Sequence, residues 1–380
     1  MSDLPIPELR SGPPWVMEEM IAAEPGLAEL IRGQAAVAGA IADAARRALE
    51  DGAAVVVTGC GTSEHAAMAV AALLEAAAVR QGIRPGAVVA RQAFEAALEP
   101  WPGGLAIGIS HEGETPATVA ALAAARSHGA VTALVTANPT GPAAAAADHV
   151  LATPLLDRSW CHTVGYVSPM LAGAGIAAAF DDRKVDEPAL AAHLRAVLGL
   201  AQAAESVAGK LWGVDRLVVC GSGIDGVSAR ELALKIEEGV QLPAVARDLE
   251  TELHGHLVSA DSHCGLIVIV TEPREQGPRA ARSEQLLLTA RRQGMPTSAI
   301  VAGGADEAWD AGATSAGRLV MPAAGPQVDP LLAALAGGAI ALQLLTVGLV
   351  HQAGTNPDRI RREEDTYREA ADIASASFPI

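Results

Sequence analysis

A chain of 380 residues is long enough for two ordinary domains, or one large one, with a sizeable buried core. Half of its residues are apolar, only 3% are aromatic and alanine is abundant, which favours closely packed helices over an all-β fold. A net charge of −17 argues against nucleic acid and anionic membranes as partners, because an acidic surface releases no counterions from either.

Residues 14–50 predict helices, opened by Pro14. Val55–Thr58 predicts a short apolar strand, Gly59-Cys60-Gly61 a tight turn, and Thr62-Ser63 a helix cap. Strands are expected at 105–110, 131–136 and 149–153, with helices at 116–128 and near 142–148. This order predicts a parallel sheet with helices on both faces. The pattern then recurs. Residues 215–239 align with the first strand–turn–helix when Gly59 is laid on Gly221 and Gly61 on Gly223. Further strands are expected at 265–271, 297–302 and 318–323. The expectation is an α/β protein of two tandem, open, flavodoxin-like parallel sheets. Residues 1–50 form N-terminal helices, 51–200 and 201–352 the two units, and 353–380 a tail.

Leu331–Val350 is apolar and long enough to span a bilayer, but Gln343 and Thr346 interrupt it and Gly337–Gly338 weaken it. It reads as a helix buried between layers of a soluble protein. Cys60, Cys161, Cys220 and Cys264 form no C-x-x-C pair and read as reduced thiols of a cytoplasmic protein. The start has no signal-peptide pattern.

Doubly wound sheets place ligands at the carboxyl ends of their strands, here at 59–64, 110–115 and 221–226. Gly221, Gly223 and Gly226 fit a dinucleotide fingerprint in letters, but no acidic residue closes the next strand to hold a ribose. Glu64 stands where the first turn would need its third glycine.

Several short motifs stand in a telling order: "WVMEEMIAAEP" (15–25), "GCGTS" (59–63), "ISHEGETPAT" (109–118), "ALKIEEG" (233–239), "HGHL" (254–257) and "GTNPDR" (354–359). Together they resemble the sugar isomerase (SIS) family. The similarity is closest to the isomerase half of glutamine–fructose-6-phosphate aminotransferases and to stand-alone sugar-phosphate deaminases and deglycases. It runs over nearly the whole chain. The resemblance implies that Glu238 moves a proton between C1 and C2 and that His254, sixteen residues on, opens the sugar ring. It implies that His254 reaches the site from a neighbouring subunit, hence a homodimer with its active site at the subunit interface. Lys235 falls near the sugar. Gly61, Thr62, Ser63, Ser110, His111 and Thr115 fall on sugar and phosphate contacts. His162 stands where the family uses a hydroxyl. No cofactor is implied.

The chemistry is coherent from the residues upward. A proton shift between adjacent carbons needs a base with a pKa near the working pH and a group at the ring or carbonyl oxygen. A partly buried glutamate and a histidine suit those tasks. Glu237 and Glu238 point about 100° apart on a helix, so only one can face the site, and the spacing favours Glu238. Glu238 could also be a solvated helix residue. His254 and His256 could pair on a metal, but no acidic or cysteine partner has ligand spacing, so no metal is expected. Cys161-His162 reads as pocket lining rather than a thiol–imidazole pair.

Three departures from the family pattern stand out. The sequence shows no glutaminase segment and no Cys after Met, so it is not expected to make ammonia from glutamine. Glu363 stands at the family's Schiff-base lysine. Glu112 replaces the middle serine of the phosphate loop, where a carboxylate near a phosphate costs on the order of several kcal/mol. Either Glu112 turns outward, or His111 or Arg230 neutralises it, or the substrate end there is not a phosphate. The leading expectation is an aldose–ketose isomerase or amino-sugar deaminase or deglycase acting on a sugar or sugar phosphate. The alternatives are a non-catalytic sugar sensor and an isomerase of an unphosphorylated sugar.

Overall fold

The computed structural model describes residues 6–272, 276–307 and 309–376. Helix α1 (Val16–Ala23) starts where the Trp15 N–H donates to Glu18 Oε1 at 2.8 Å. Helix α2 (Ala35–Glu50) turns Ala38, Ile41, Ala45 and Leu49 to the core. The first unit then runs β1 (Val55–Gly59), α3 (Thr62–Arg80), β2 (Val88–Gln92), α4 (Ala93–Leu98), β3 (Leu105–Ile109), α5 (Pro116–Ser127), β4 (Val131–Thr136), β5 (His149–Ala152) and α6 (Val164–Phe180). Helices α7 (Glu187–Leu198) and α8 (Ala201–Leu211) lead to the second unit. That unit runs β6 (Arg216–Cys220), α9 (Asp225–Lys235), β7 (Ala244–Arg247), α10 (Leu249–Leu253), β8 (Cys264–Val270), α11 (Gln276–Arg292), β9 (Thr297–Ala302), β10 (Gly317–Met321) and α12 (Pro330–Ala353). Helix α13 (Asp365–Ala374) follows in the tail. The helix expected near 142–148 is a single turn, Pro142–Ala145.

Both sheets are parallel and share one strand order, β2-β1-β3-β4-β5 and β7-β6-β8-β9-β10. Central strands such as β3 and β8 are buried along their whole length, as sheets covered on both faces require. The repeat extends to the turns. A Cβ on Gly59 would lie 2.5 Å from the Ser63 carbonyl oxygen, and one on Gly221 2.4 Å from that of Asp225. Gly61 and Gly223 follow at φ +56° and +64°, which glycine adopts freely. Each strand therefore turns sharply into its helix and leaves the helix start at the sheet's carboxyl edge.

One apolar cluster joins the units. It includes Met17, Ile41, Ile107, Met170, Leu217, Ile267 and Leu342. Helix α12 is apolar and long enough to cross a membrane, but 89% of its most apolar stretch is buried inside the protein. Its polar residues are accommodated there. Gln343 Nε2 donates to the Thr163 carbonyl and Thr346 Oγ1 to that of Leu342.

Candidate active site

Helix α9 carries the charged centre. Glu231 and Lys235 lie one turn apart and are fully buried, with Lys235 Nζ 3.6 Å from Glu231 Oε1. After Lys235 the helix widens into a π-turn over Ile236–Val240, which ends at Gln241 in a left-handed conformation. Such bulges are frequent at functional sites. This one brings Glu238 Oε2 to 2.5 Å from Lys235 Nζ. Glu237 points to solvent and accepts from the Ala244 N–H at 3.3 Å. Of the two adjacent glutamates, Glu238 is the one turned toward Lys235.

Helix α3 reaches this centre from the first unit. Thr62 Oγ1 donates to Glu231 Oε1 at 3.1 Å, and His65 Nδ1 lies 2.6 Å from Glu231 Oε2. Gly61 sets the helix start and Ser63 is half-buried beside it. Burial opposes the Lys235 ammonium, but Glu238 and its other neighbours outweigh it and push the pKa up. Burial likewise opposes the Glu231 carboxylate, yet Lys235, His65 and Thr62 hold its pKa below the usual value. Glu238 differs. Burial raises its pKa above the ordinary carboxylate value, and Lys235 offsets this only in part. Its side chain remains 23% exposed, so it is the member of the trio open to a ligand.

The loop after β3 lies at the same edge. Ser110 is buried and its Oγ is 3.4 Å from Thr115 Oγ1, at the start of α5. Gly113, at φ +69°, has no room for a side chain: a Cβ would lie 2.9 Å from the Asn138 carbonyl oxygen. His111 is buried and its Nε2 accepts from the Asp157 N–H at 2.7 Å. That role leaves the ring neutral with its proton on Nδ1, and burial lowers its pKa. Asp157 organises the next segment by accepting from the N–H groups of Ser159, Thr163 and Gly165. His162 stands edge-on to His111 with ring centroids 5.3 Å apart. Burial lowers its pKa to about 4, so it too is neutral at neutral pH.

Glu112 is half-buried. Burial raises its pKa, Glu114 and Asp157 add to the rise, and Arg362 opposes it. Neutralisation by His111 or Arg230 is one of the three alternatives for Glu112. His111 is a neutral acceptor, and Arg230 is exposed on α9. Among the described residues, Arg362 of the tail is the cation whose charge favours the Glu112 carboxylate. Asp358 anchors that tail by accepting from the Val16 and Met17 N–H groups at 2.9 and 2.8 Å, and the Asp358 carbonyl accepts from Trp160 N–H. The Arg362 guanidinium then lies 4.8 Å above the Trp160 ring.

Two expected residues stand apart. His254 is 76% exposed on the second unit, where it pairs with Glu250 at 3.0 Å. Glu363 is exposed in the tail. Cys161 is buried behind Lys235 with its thiol pKa pushed well up by burial, which suits lining rather than nucleophilic chemistry. Among the described residues no group of His, Cys, Asp and Glu side chains suits a metal ion. The sequence reading passed over His65, Glu231 and Asp157. Glu231 carried a usable signal, since it lies four residues before Lys235 and seven before Glu238 on one helix face.

The family model of the SIS domain matches residues 49–172. A sequence search of curated proteins finds no match. Among solved structures, the C-terminal domain of glucosamine-fructose-6-phosphate aminotransferase from Francisella tularensis is similar with a TM-score of 0.76 at 18% identity, over 93% of this chain and 100% of that one. Tagatose-6-phosphate ketose/aldose isomerase from Escherichia coli gives 0.74 at 20% identity, over 93% and 97%. Glucosamine-6-phosphate deaminase from Thermotoga maritima gives 0.68 at 17% identity, over 90% and 97%. At such identities the likeness establishes the fold.

Proposed function

We propose that this chain, with an SIS domain at residues 49–172 inside a tandem SIS fold, catalyses a 1,2-proton shift on a sugar or sugar phosphate. The reaction is an aldose–ketose isomerisation or the related release of an amine. The observation that carries this reading is the Lys235–Glu238 pair at the edge of the first sheet. A carboxyl raised toward neutrality gives up and takes back a proton near the working pH. The adjacent fixed ammonium stabilises the oxyanion of an enediol-like intermediate. Neutral His111 and His162 and the hydroxyls of Thr62, Ser63, Ser110 and Thr115 offer the hydrogen-bonding groups a polyol needs. The names of the similar structures, an isomerase and a deaminase of sugar phosphates, point the same way.

Ring opening needs a second acid–base group. His254 supplies it from a second copy of the chain, since in its own chain it is solvent-exposed and paired with Glu250. The working unit is then a homodimer. The placement of Glu112 near Asp157 and Glu114 favours a second reading of the substrate, an uncharged hydroxyl end in place of a phosphate.

The deciding experiment is exchange of the C2 proton of ketoses and aldoses in deuterated water, with Glu238→Gln as control. Exchange by the wild type and at least a hundredfold loss in the variant support the assignment. Binding without exchange makes the protein a sugar sensor instead.

A further inference from the structure

The second glycine turn plays no part in the candidate active site. Gly221, Gly223 and Gly226 have the letters of a dinucleotide fingerprint, and the structure supplies the acidic residue that the sequence reading did not find. Strand β7 ends at Arg247, so Asp248, twenty-two residues after Gly226, closes the next strand. Asp248 Oδ1 would lie 3.8 Å from a Cβ on Gly226. The turn also stands between β6 and its neighbours β7 and β8, where the strand order reverses and open sheets take their ligands. By these signs it should hold an anion. It holds a side chain of its own chain.

The repeat identifies that side chain. Gly59 corresponds to Gly221, and the same shift of 162 residues carries Ser63, at the start of α3, onto Asp225, at the start of α9. Strand pairing aligns the loops that follow β3 and β8. Thr58 pairs with Gly108 in the first sheet and Cys220 with Val268 in the second, so His111 and Glu112 correspond to Thr271 and Glu272. Among the described residues the His111 and Glu112 N–H groups have no hydrogen-bond partner. Their counterparts in the second unit donate to the Asp225 carboxylate, Thr271 N at 3.0 Å and Glu272 N at 3.4 Å. Thr271 Oγ1 adds a third bond at 2.5 Å. Asp225 is only 2% exposed, so these donors stand in for water around its charge. Burial raises its pKa to about 6 and the three hydrogen bonds oppose the rise, which leaves it ionised at pH 8.

We propose that Asp225 is a built-in ligand: its carboxylate fills the anion cradle of the second unit, so that this unit takes up neither a nucleotide nor a sugar phosphate and the first cradle is the one open to a ligand. Arg279 closes the same turn from outside. It pairs with Glu272 and lies against Gly223, where a Cβ would meet the guanidinium at 2.6 Å. A Cβ on Gly61, the counterpart in the first unit, would meet Leu234 at 4.0 Å. The two halves of the repeat therefore divide the work. The second uses its cradle to fix the start of α9, whose later turns carry Glu231 and Lys235.

Calorimetric titration of the full chain with inorganic phosphate at pH 8 counts the open cradles. Asp225→Gly deletes the internal ligand and should bind one phosphate more per chain than the wild type. Asp225→Asn should gain none, because its amide still fills the space. Urea unfolding in sodium acetate, against sodium chloride of equal ionic strength, gives a second reading. Acetate replaces the deleted carboxylate. It should raise the unfolding midpoint of Asp225→Gly, or restore folding if that variant does not fold without it, and leave the wild type unchanged. Equal phosphate counts in the wild type and Asp225→Gly, or an acetate effect no larger in the variant than in the wild type, overturn the inference. Both readings compare variants with the wild type, so they hold whether or not the first site binds phosphate. Their failure leaves the proposed function to the exchange experiment on Glu238.

Discussion

Lys235 Nζ and Glu238 Oε2 lie 2.5 Å apart across a π-turn, three residues along the chain, with the ammonium fully buried and the carboxyl partly open. The pair places the fixed charge behind the titrating group. Lys235→Met leaves Glu231 and Glu238 facing each other without a cation. Breaking a buried pair this way costs about 3–5 kcal/mol. The pKa of Glu238 should then rise further, because its main compensating charge is gone. The acid limb of the pH–rate profile reports the ionised base and should move to higher pH. Urea unfolding and a pH profile of kcat/KM check the two effects separately. An unmoved limb would remove Glu238 as the base.

His65 acts on the same centre through Glu231 at 2.6 Å. His65→Phe removes that partner and leaves a buried carboxylate oxygen less satisfied, at about 1–3 kcal/mol. As a positioning residue it should lower kcat more than it raises KM. His65→Gln keeps a donor near the carboxylate and should recover part of kcat. Equal losses in both variants would mean that the ring is only a packing element.

The central strands and the repeat were legible because buried parallel strands are continuous apolar runs, as in Leu105–Ile109 and Cys264–Val270. Strands β2 and β7 were not. Both are edge strands, short and half-exposed, and Arg91, Gln92 and Arg247 interrupt their apolar pattern. In the site, Glu238 and Lys235 were named by the family resemblance of the 233–239 segment. Asp157 was not, since it works through backbone N–H groups that no side-chain pattern records. Arg362 was missed because its approach to Glu112 depends on how Asp358 ties the tail to α1.

Glu24 predicts how stability depends on pH. It is fully buried, with Gln343 as its polar neighbour. Burial drives its pKa well above the ordinary value, Gln343 offsets this only in part, and Asp157 adds to the shift. The native state therefore keeps this proton at pH values where the unfolded chain has lost it. Stability falls as pH rises from the unfolded pKa toward the folded one, by up to about 1.4 kcal/mol per pH unit from this group. Glu24→Gln keeps the shape of the neutral acid and removes the titration. Unfolding midpoints from pH 5 to 8 should fall more steeply in the wild type than in the variant. Parallel curves would show that Glu24 is not the group responsible.

Glu112 and Arg362 decide what the loop after β3 accepts. Glu112 is held among Asp157 and Glu114, with Arg362 as its opposing charge. A bound phosphate would have to compete with the carboxylate for Arg362 and would face repulsion of several kcal/mol at intermediate dielectric. Glu112→Ser restores a hydroxyl and frees Arg362. It should shift the preference toward phosphorylated over unphosphorylated sugars by at least tenfold, since about 1.4 kcal/mol is a factor of ten. The measure is the ratio of Kd values for fructose 6-phosphate and fructose, in the wild type and the variant. Arg362→Ala should shift the ratio the opposite way, because it leaves the carboxylate unopposed. If Glu112→Ser leaves the ratio unchanged, the carboxylate does not face the ligand and the loop binds phosphate as the rest of its residues suggest.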